Sequence, residues 1–521
     1  MEEYVWWRDG VIYQIYPRSF LDTNGDGFGD LPGITSRLDY LADLGVAALW
    51  LSPIYPSPDA DFGYDVADHT AIDPRYGTLA DFEILVEEAH RRGLRIILDA
   101  VLNHTSDQHP WFLESRSSKD NPKRDWYSWR AAPNNWISAF GGRAWEYDPV
   151  TSEYYYHLFT REQPDLNFNN PEVRQAQLDV LRFWLERGVD GFRLDVFNTY
   201  FENPDLPDNP SSLLGRLGLP LQQHIQDADQ PGLLPFLREM RALVDRYPGR
   251  YLVGETFGGP EAAARYVGDD LLHAAFSFDF TDSRWSWPFN PRYLMERGIR
   301  RETLFSAAQW PTNVLSNHDL PRAASRYARD DEDDGPARLA MALLLTLRGT
   351  PFMYQGEEIA MRDVALRRGE ILDPPGRRYW PFYKGRDGCR APFQWSAAPN
   401  AGFSAGMPWL KVHPDYRSRN LAGQKANPAS FFYFTHRLIA LRWIHPALQH
   451  GEFVPLAATR EVLAYQRKAE NETMTILLNF AKRTVDFDLP AEGRVLFSTD
   501  RPEGMVSGRI RLEPYKVCVL G

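Results

Sequence analysis

Three consecutive segments decide the fold: VIYQIY at 11–16, GITSRLDYLADLG at 33–45 and VAALWL at 46–51. The first and third are short runs of β-branched, aromatic and aliphatic residues, the composition of strands. Between them Ile34, Leu38, Leu41 and Leu44 recur at helical spacing, so the middle segment predicts a helix with one apolar stripe. The unit then repeats. In ADFEILVEEAHRRG (80–93) Phe82, Leu85, Val86 and Ala89 share a helix face and Gly93 provides the stop, and LRIILDAV (94–101) follows as a strand. Strand and helix in alternation predict a parallel sheet.

Further apolar strands read at VDGFRLDV (189–196), RYLVGE (250–255), HAAFSFDF (273–280), TNVLSNHD (312–319) and TPFMYQGEE (350–358) bring the count to eight. Eight is the number that closes a (β/α)8 TIM barrel of the α/β class. The rhythm breaks after His104: residues 105–170 are rich in Trp, Tyr, Pro and Asn without helical period, which predicts an inserted domain after the third strand. Asn170 and Pro171 then make a helix start for VRQAQLDVLRFWLERG, which Gly188 ends. A helix around FFYFTHRLIALRW (431–443) precedes alternating apolar segments EVLAYQRK, TMTILLNF and KVCVLG. The division is thus 1–104 and 171–445 for the barrel, 105–170 for the insert and 446–521 for a C-terminal antiparallel β-sandwich.

A chain of 521 residues can bury a large core without covalent staples. Cys389 and Cys518 are its only cysteines, so neither a disulfide framework nor a cysteine metal site is expected, which suits a reducing compartment. The beginning, MEEYVWWRDG, has no basic flank or apolar h-region, and no later run reaches membrane-spanning length; the expectation is a soluble, cytoplasmic protein. A net charge of −12 repels phosphate backbones and argues against nucleic acid as a partner. The acidic run at 330–334 reads as a solvated loop. Oligomeric state is not legible.

Polar residues end several of these strands: Asp99, Asn103 and His104 after the third, Arg193 and Asp195 on the fourth, Glu255 on the fifth, His318 and Asp319 on the seventh. Any one alone reads equally well as a cap or a salt bridge. As a set, charged groups at the C-terminal ends of barrel strands must share one cavity and perturb one another's pKa. Several carboxylates, two histidines and an arginine without a cofactor motif suit glycoside hydrolysis.

DAVLNH (99–104), GFRLDV (191–196), GET (254–256) and SNHD (316–319) resemble, in order and spacing, the four signature regions of the α-amylase family, glycoside hydrolase family 13. QPDLN (163–167) resembles the extra region of its oligo-1,6-glucosidase and α-glucosidase branch, and the similarity runs from residue 4 to about 440. The resemblance implies that Asp195 is the nucleophile, Glu255 the general acid and base, and Asp319 the carboxylate that holds sugar hydroxyls. Arg193 would keep Asp195 ionised, and His104 and His318 would hydrogen-bond the glucose at the point of cleavage. It implies retention, with Asp195 and Glu255 about 5 to 5.5 Å apart. DFGYD (61–65) resembles an exo-acting motif, so Asp61 would hold the outermost 4-hydroxyl and Tyr64 would stack on the ring. In GRDGCRAPFQW (385–395) the second arginine, Arg390, would pair with Asp61 and close the pocket.

DTNGDGFGDL (22–31) places oxygen side chains on alternate positions before a glycine turn. It is not an EF-hand, because Gly33 stands at position 12 and a strand rather than a helix precedes it. By residue type alone it is either a polar turn or a cation loop; the resemblance implies a structural Ca²⁺ or Mg²⁺ held by Asp22, Asn24, Asp26, Asp30 and the carbonyl near Phe28, with no organic cofactor. Linkage preference stays open. Val196 points to α-1,6 cleavage by resemblance, or is a plain strand residue, and FNTYFENPDLPDNP (197–210) looks more like broad α-glucosidases. A transglucosylase or sucrose isomerase would use the same groups, but LPRAASRYARDDEDDG (320–335) lacks the arginine-rich isomerase motif. A non-catalytic amylase-like binding protein would need a membrane span and would lack the full catalytic set.

Overall fold

The computed structural model describes residues 4–211, 219, 221–256, 259–281, 289–328 and 334–521. The acidic run falls largely on residues outside that set. Eight strands form one parallel sheet: β1 Ile12–Ile15, β2 Ala48–Leu51, β3 Arg95–Ala100, β4 Gly191–Leu194, β5 Tyr251–Gly254, β6 Ala274–Ala275, β7 Thr312–Val314 and β8 Thr350–Tyr354. Their order is β7-β8-β1-β2-β3-β4-β5-β6, which curls into a nearly closed (β/α)8 barrel. At the seam among the described residues no ladder pairs β6 with β7. The Thr312 hydroxyl bridges them, donating to the Ala275 carbonyl (3.1 Å) and accepting from the Ser277 N–H (3.4 Å).

Side chains of a strand alternate between faces. Ile12, Ala48, Trp50, Ile97, Val253, Val314 and Phe352 therefore fill the barrel interior, while Tyr13, Leu49, Ile96, Leu98, Phe192 and Leu252 face the surrounding helices. The same alternation sends Asp99, Arg193, Asp195 and Glu255 inward where each strand runs out.

The predicted helix over 33–45 is two helices, Leu31–Thr35 and Leu38–Leu44. Ser36 Oγ bonds back to the Gly33 carbonyl (2.8 Å) and Arg37 leaves helical geometry at φ −112°, ψ 7°. Longer helices carry the caps their sequences promise: Thr78 and Asp81 form a capping box for Leu79–Arg91, and Asn170 caps Pro171–Leu185.

Within 105–170 lies a three-stranded antiparallel sheet of Trp129–Arg130, Glu153–Tyr156 and Trp145–Asp148, preceded by a short helix, Pro110–Ser115, that composition did not signal. Its core contains Trp136, Trp145, Tyr156, Leu158 and Phe159, and also Val196 from the end of β4. Beyond residue 450 eight strands make a six-stranded and a two-stranded antiparallel sheet around Val462, Leu477, Val495, Ile510, Leu512 and Cys518. Among the described residues no helix is long and apolar enough to cross a membrane.

Candidate active site

Arg193, on β4, is fully buried and grips three carboxylates. One terminal nitrogen donates to Asp99 (2.7 Å) and Asp195 (2.6 Å), and the other to Glu255. Asp195 and Glu255 thus sit on the two terminal nitrogens of one guanidinium. Both acids keep a thin face open, 8% of each side chain. Burial pushes Asp195 and Glu255 up to about 7 and Asp99 up to about 6, against the opposing pull of Arg193. Three acids sharing one cation in a dry setting retain a proton near neutrality.

Tyr64 lies flat against His318, with ring centroids 5.3 Å apart and planes 3° apart. Its hydroxyl donates to Asp99 (3.0 Å) and meets His318 Nε2 at 2.6 Å. Gln14 Nε2 approaches His318 Nδ1 at 2.8 Å. An amide nitrogen only donates, so Nδ1 accepts and the ring proton sits on Nε2, facing Tyr64 and Asp319. Burial pushes His318 and His104 down to about 3, so both are neutral. His104 Nε2 reaches the Tyr64 carbonyl (3.0 Å) and Gln163 Nε2 (3.1 Å).

A second arginine centre forms the rim. Arg386 donates to Asp61 (2.6 Å), Asp373 (2.7 Å) and Asp319 (3.1 Å). Arg390 donates to Asp319 (2.7 Å) and to the His318 carbonyl (2.7 Å). The expected Arg390–Asp61 pair is therefore corrected: Arg386 holds Asp61. Arg390 is tied to the His318 backbone and Asp319, whereas Arg386, four residues earlier in the same loop, faces Asp61. Burial pushes Asp61 up, against Arg386 and Arg390. Burial also opposes ionisation of Asp319, but its cationic neighbours win and hold it well below the usual carboxylate range. With His318 neutral, Arg386 and Arg390 are the cations that do so. The Asp319 side chain remains 31% open.

Val196, just after Asp195, sits at φ 36°, ψ 38°. A β-branched side chain is a backbone outlier there, costing on the order of 1–3 kcal/mol. Its carbonyl accepts from both the N–H (3.0 Å) and the hydroxyl (2.7 Å) of Thr199, and the hydroxyl also lies 3.0 Å from Asn103. The plain-strand reading of Val196 does not hold: β4 has ended, and at this left-handed turn the Val196 side chain packs into the core of the insert.

The loop at 22–30 is a network of turns. Asp22 accepts from the N–H groups of Asn24, Gly25 and Gly27 and from the Ser404 hydroxyl. Asn24 accepts from Asp26 N–H and Asp26 from Phe28 N–H. Asp30 caps the next helix through Gly33 and accepts from Thr23. Gly27 has φ 96°, and a Cβ there would meet the Met407 carbonyl at 2.1 Å. The donors are all oxygen, the chemistry of a hard cation. As placed they do not converge: among the described residues no group of three or more His, Cys, Asp or Glu side chains is arranged to hold a metal.

Sequence reading missed Arg386, Asp373, Gln14 and Gln163. Gln14 carried a usable signal, an inward polar position in an otherwise apolar strand. Gln163 lay inside the quoted QPDLN segment, where its contact to His104 was not legible.

Residues 14–451 match the family described as alpha amylase, catalytic domain. The chain is 44% identical to a probable alpha-glucosidase of Rhizobium meliloti, over 93% of this chain and 91% of the relative. It is 40% identical to the oligo-1,6-glucosidase of Parageobacillus thermoglucosidasius, over 99% of both. The crystal structure of the alpha-glucosyl transfer enzyme XgtA is similar at TM-score 0.94 and 40% identity, with 99% of both chains covered.

Proposed function

The chain belongs to the α-amylase family and is a glycoside hydrolase of its oligo-1,6-glucosidase and α-glucosidase branch, and from that premise we propose how its own residues act. It is a retaining exo-α-glucosidase that releases glucose from the non-reducing end of short α-linked oligosaccharides. Asp195 attacks the anomeric carbon while Glu255, protonated, gives its proton to the departing oxygen. A covalent glucosyl-Asp195 results, and the freed alcohol leaves. Glu255, now ionised, takes a proton from water as that water opens the ester, which restores both groups. Asp319, His104 and His318 hold the sugar hydroxyls, and Asp61 with Arg386 closes the pocket behind the terminal glucose. The observation that carries this reading is the single guanidinium of Arg193 between two carboxylates pushed up to about 7, one to be ionised and one protonated.

A product time course on equal concentrations of maltose, isomaltose and sucrose tests the reading. Isomaltose cleaved fastest makes Val196 a linkage determinant; maltose or sucrose fastest gives that role to the loop after Asn198. No glucose from any of them overturns hydrolysis in favour of glucosyl transfer, the reading that the likeness to XgtA favours second.

The proposal includes a structural Ca²⁺ or Mg²⁺ at the 22–30 loop, supported by its all-oxygen donors, which would turn from their N–H partners onto the ion. It enters no catalytic step. Metal analysis of dialysed protein should find one ion per chain, removed by chelator with a fall in Tm; metal-free protein of unchanged Tm overturns it. Cytoplasmic placement is supported by two buried unpaired thiols, Cys389 and Cys518, and is tested by cell fractionation.

A further inference from the structure

A second recess, of about 590 Å³, opens where the C-terminal sandwich meets the helices Gly335–Thr346 and Phe431–Ile444. That volume is in the range of small-molecule sites. Three cationic side chains line it, Arg338, Arg437 and Lys516, together with the rings of Phe434, Phe497 and Tyr515, and among the described residues no acidic side chain lines it. This concentrates positive charge in a chain of net charge −12.

The cations are held rather than loosely displayed. The Arg437 guanidinium stands 4.9 Å from the centroid of the Phe497 ring. Lys516 is only 8% exposed, and its ion-pair partner among the described residues, Asp500, is 3.6 Å away. Burial pushes the Lys516 ammonium down; Asp500 and then Glu513 pull it the other way, and the like charge of Arg338 adds the smallest push. Three cations lining one recess favour an anion within it. The hydroxyls at the wall are already committed: Ser430 donates to the Gln424 carbonyl, Ser498 to Asp500 and Thr499 to the Val517 carbonyl. Recognition therefore falls to the cations, and the half-buried Tyr515 ring offers a surface for a ligand's body, since Phe434 and Phe497 are buried. Guanidinium forks and an ammonium suit the several oxygens of a phosphate.

We infer that this recess binds a phosphate monoester of a small polyhydroxylated metabolite, its phosphate between Arg338, Arg437 and Lys516 and its sugar body against Tyr515. Calorimetric titration of the full chain with glucose 6-phosphate, inorganic phosphate and glucose tests it. Glucose 6-phosphate should bind saturably and more tightly than inorganic phosphate. Arg437→Glu and Lys516→Met should each weaken that binding roughly tenfold or more. Arg437 is exposed, so Arg437→Glu keeps the test informative should Lys516→Met fail to fold, and its kcat/KM on a disaccharide should match the parent. Equal affinity for the two phosphates overturns the sugar face and retains the phosphate cradle. No saturable phosphate binding, or binding unchanged in Arg437→Glu, overturns the site.

Discussion

Two arginine centres in the same pocket, Arg193 and Arg386, hold carboxylates in opposite ways. At the floor, Arg193 alone faces Asp99, Asp195 and Glu255, all delivered by the ends of adjacent strands β3, β4 and β5. At the rim, Arg386 faces Asp61, Asp319 and Asp373, all delivered by loops, and Arg390 adds a second positive charge on Asp319. One cation among three dry acids leaves Asp195 and Glu255 pushed up to about 7. Two cations on the half-open Asp319 keep it ionised. Burial and the number of facing cations together separate the groups that exchange protons from the group that stays an anion.

The largest effect that could break this contrast is on the floor. Asp195→Asn should lower turnover by roughly 10⁴-fold or more, as loss of a covalent nucleophile does; a variant with appreciable steady-state activity removes Asp195 from that role. Next comes the cation itself. Arg193→Met leaves three buried acids without a counter-charge and should cost about 3–5 kcal/mol in urea unfolding. Arg386→Met should cost less, because Arg390 still serves Asp319, and should appear instead as a KM raised roughly tenfold. Equal stability losses in the two variants would erase the distinction between floor and rim.

The smallest effect is in pH. kcat/KM should be bell-shaped, its alkaline limb set by loss of the Glu255 proton near about 7. Stability follows the same groups. Asp195 and Glu255 hold protons that the unfolded chain releases near about pH 4, so their contribution is full below that pH and is lost as pH rises to about 7. Asp319 runs the other way: its contribution is present above about pH 4 and is lost as pH falls. The urea midpoint should therefore drop between about pH 5 and about pH 8, by less in Glu255→Gln; a midpoint that rises contradicts the assignment.

Much of this was legible before any coordinates. Short apolar runs rich in β-branched and aromatic residues identified the barrel strands, and the convergence of their C-terminal ends brought Asp99, Arg193, Asp195 and Glu255 together, because charges that end apolar barrel strands must share one cavity. What stayed hidden lies where no period operates. Arg386 and Arg390 stand four apart in an irregular loop, and nothing local says which faces Asp61. The break at Ser36 came from side-chain bonding to the backbone, which competes with a helix without disturbing its apolar stripe. Val196 reads as a strand residue because its composition is that of one, and only the left-handed turn shows that the strand has ended.

The seam between β6 and β7 has a consequence of its own. Elsewhere the barrel staves are joined by peptide hydrogen bonds, but there a two-residue strand meets its neighbour through one threonine hydroxyl. Local opening draws first on such thin joints. Glu255 stands on one side of this seam and Asp319 on the other, so the breathing that exposes Ala274 and Ala275 amides to solvent exchange is also the motion that would widen the pocket. Slow amide exchange in β3 and β4 with fast exchange in β6 would mark a barrel that is rigid where the nucleophile is held and compliant where the sugar must enter and leave.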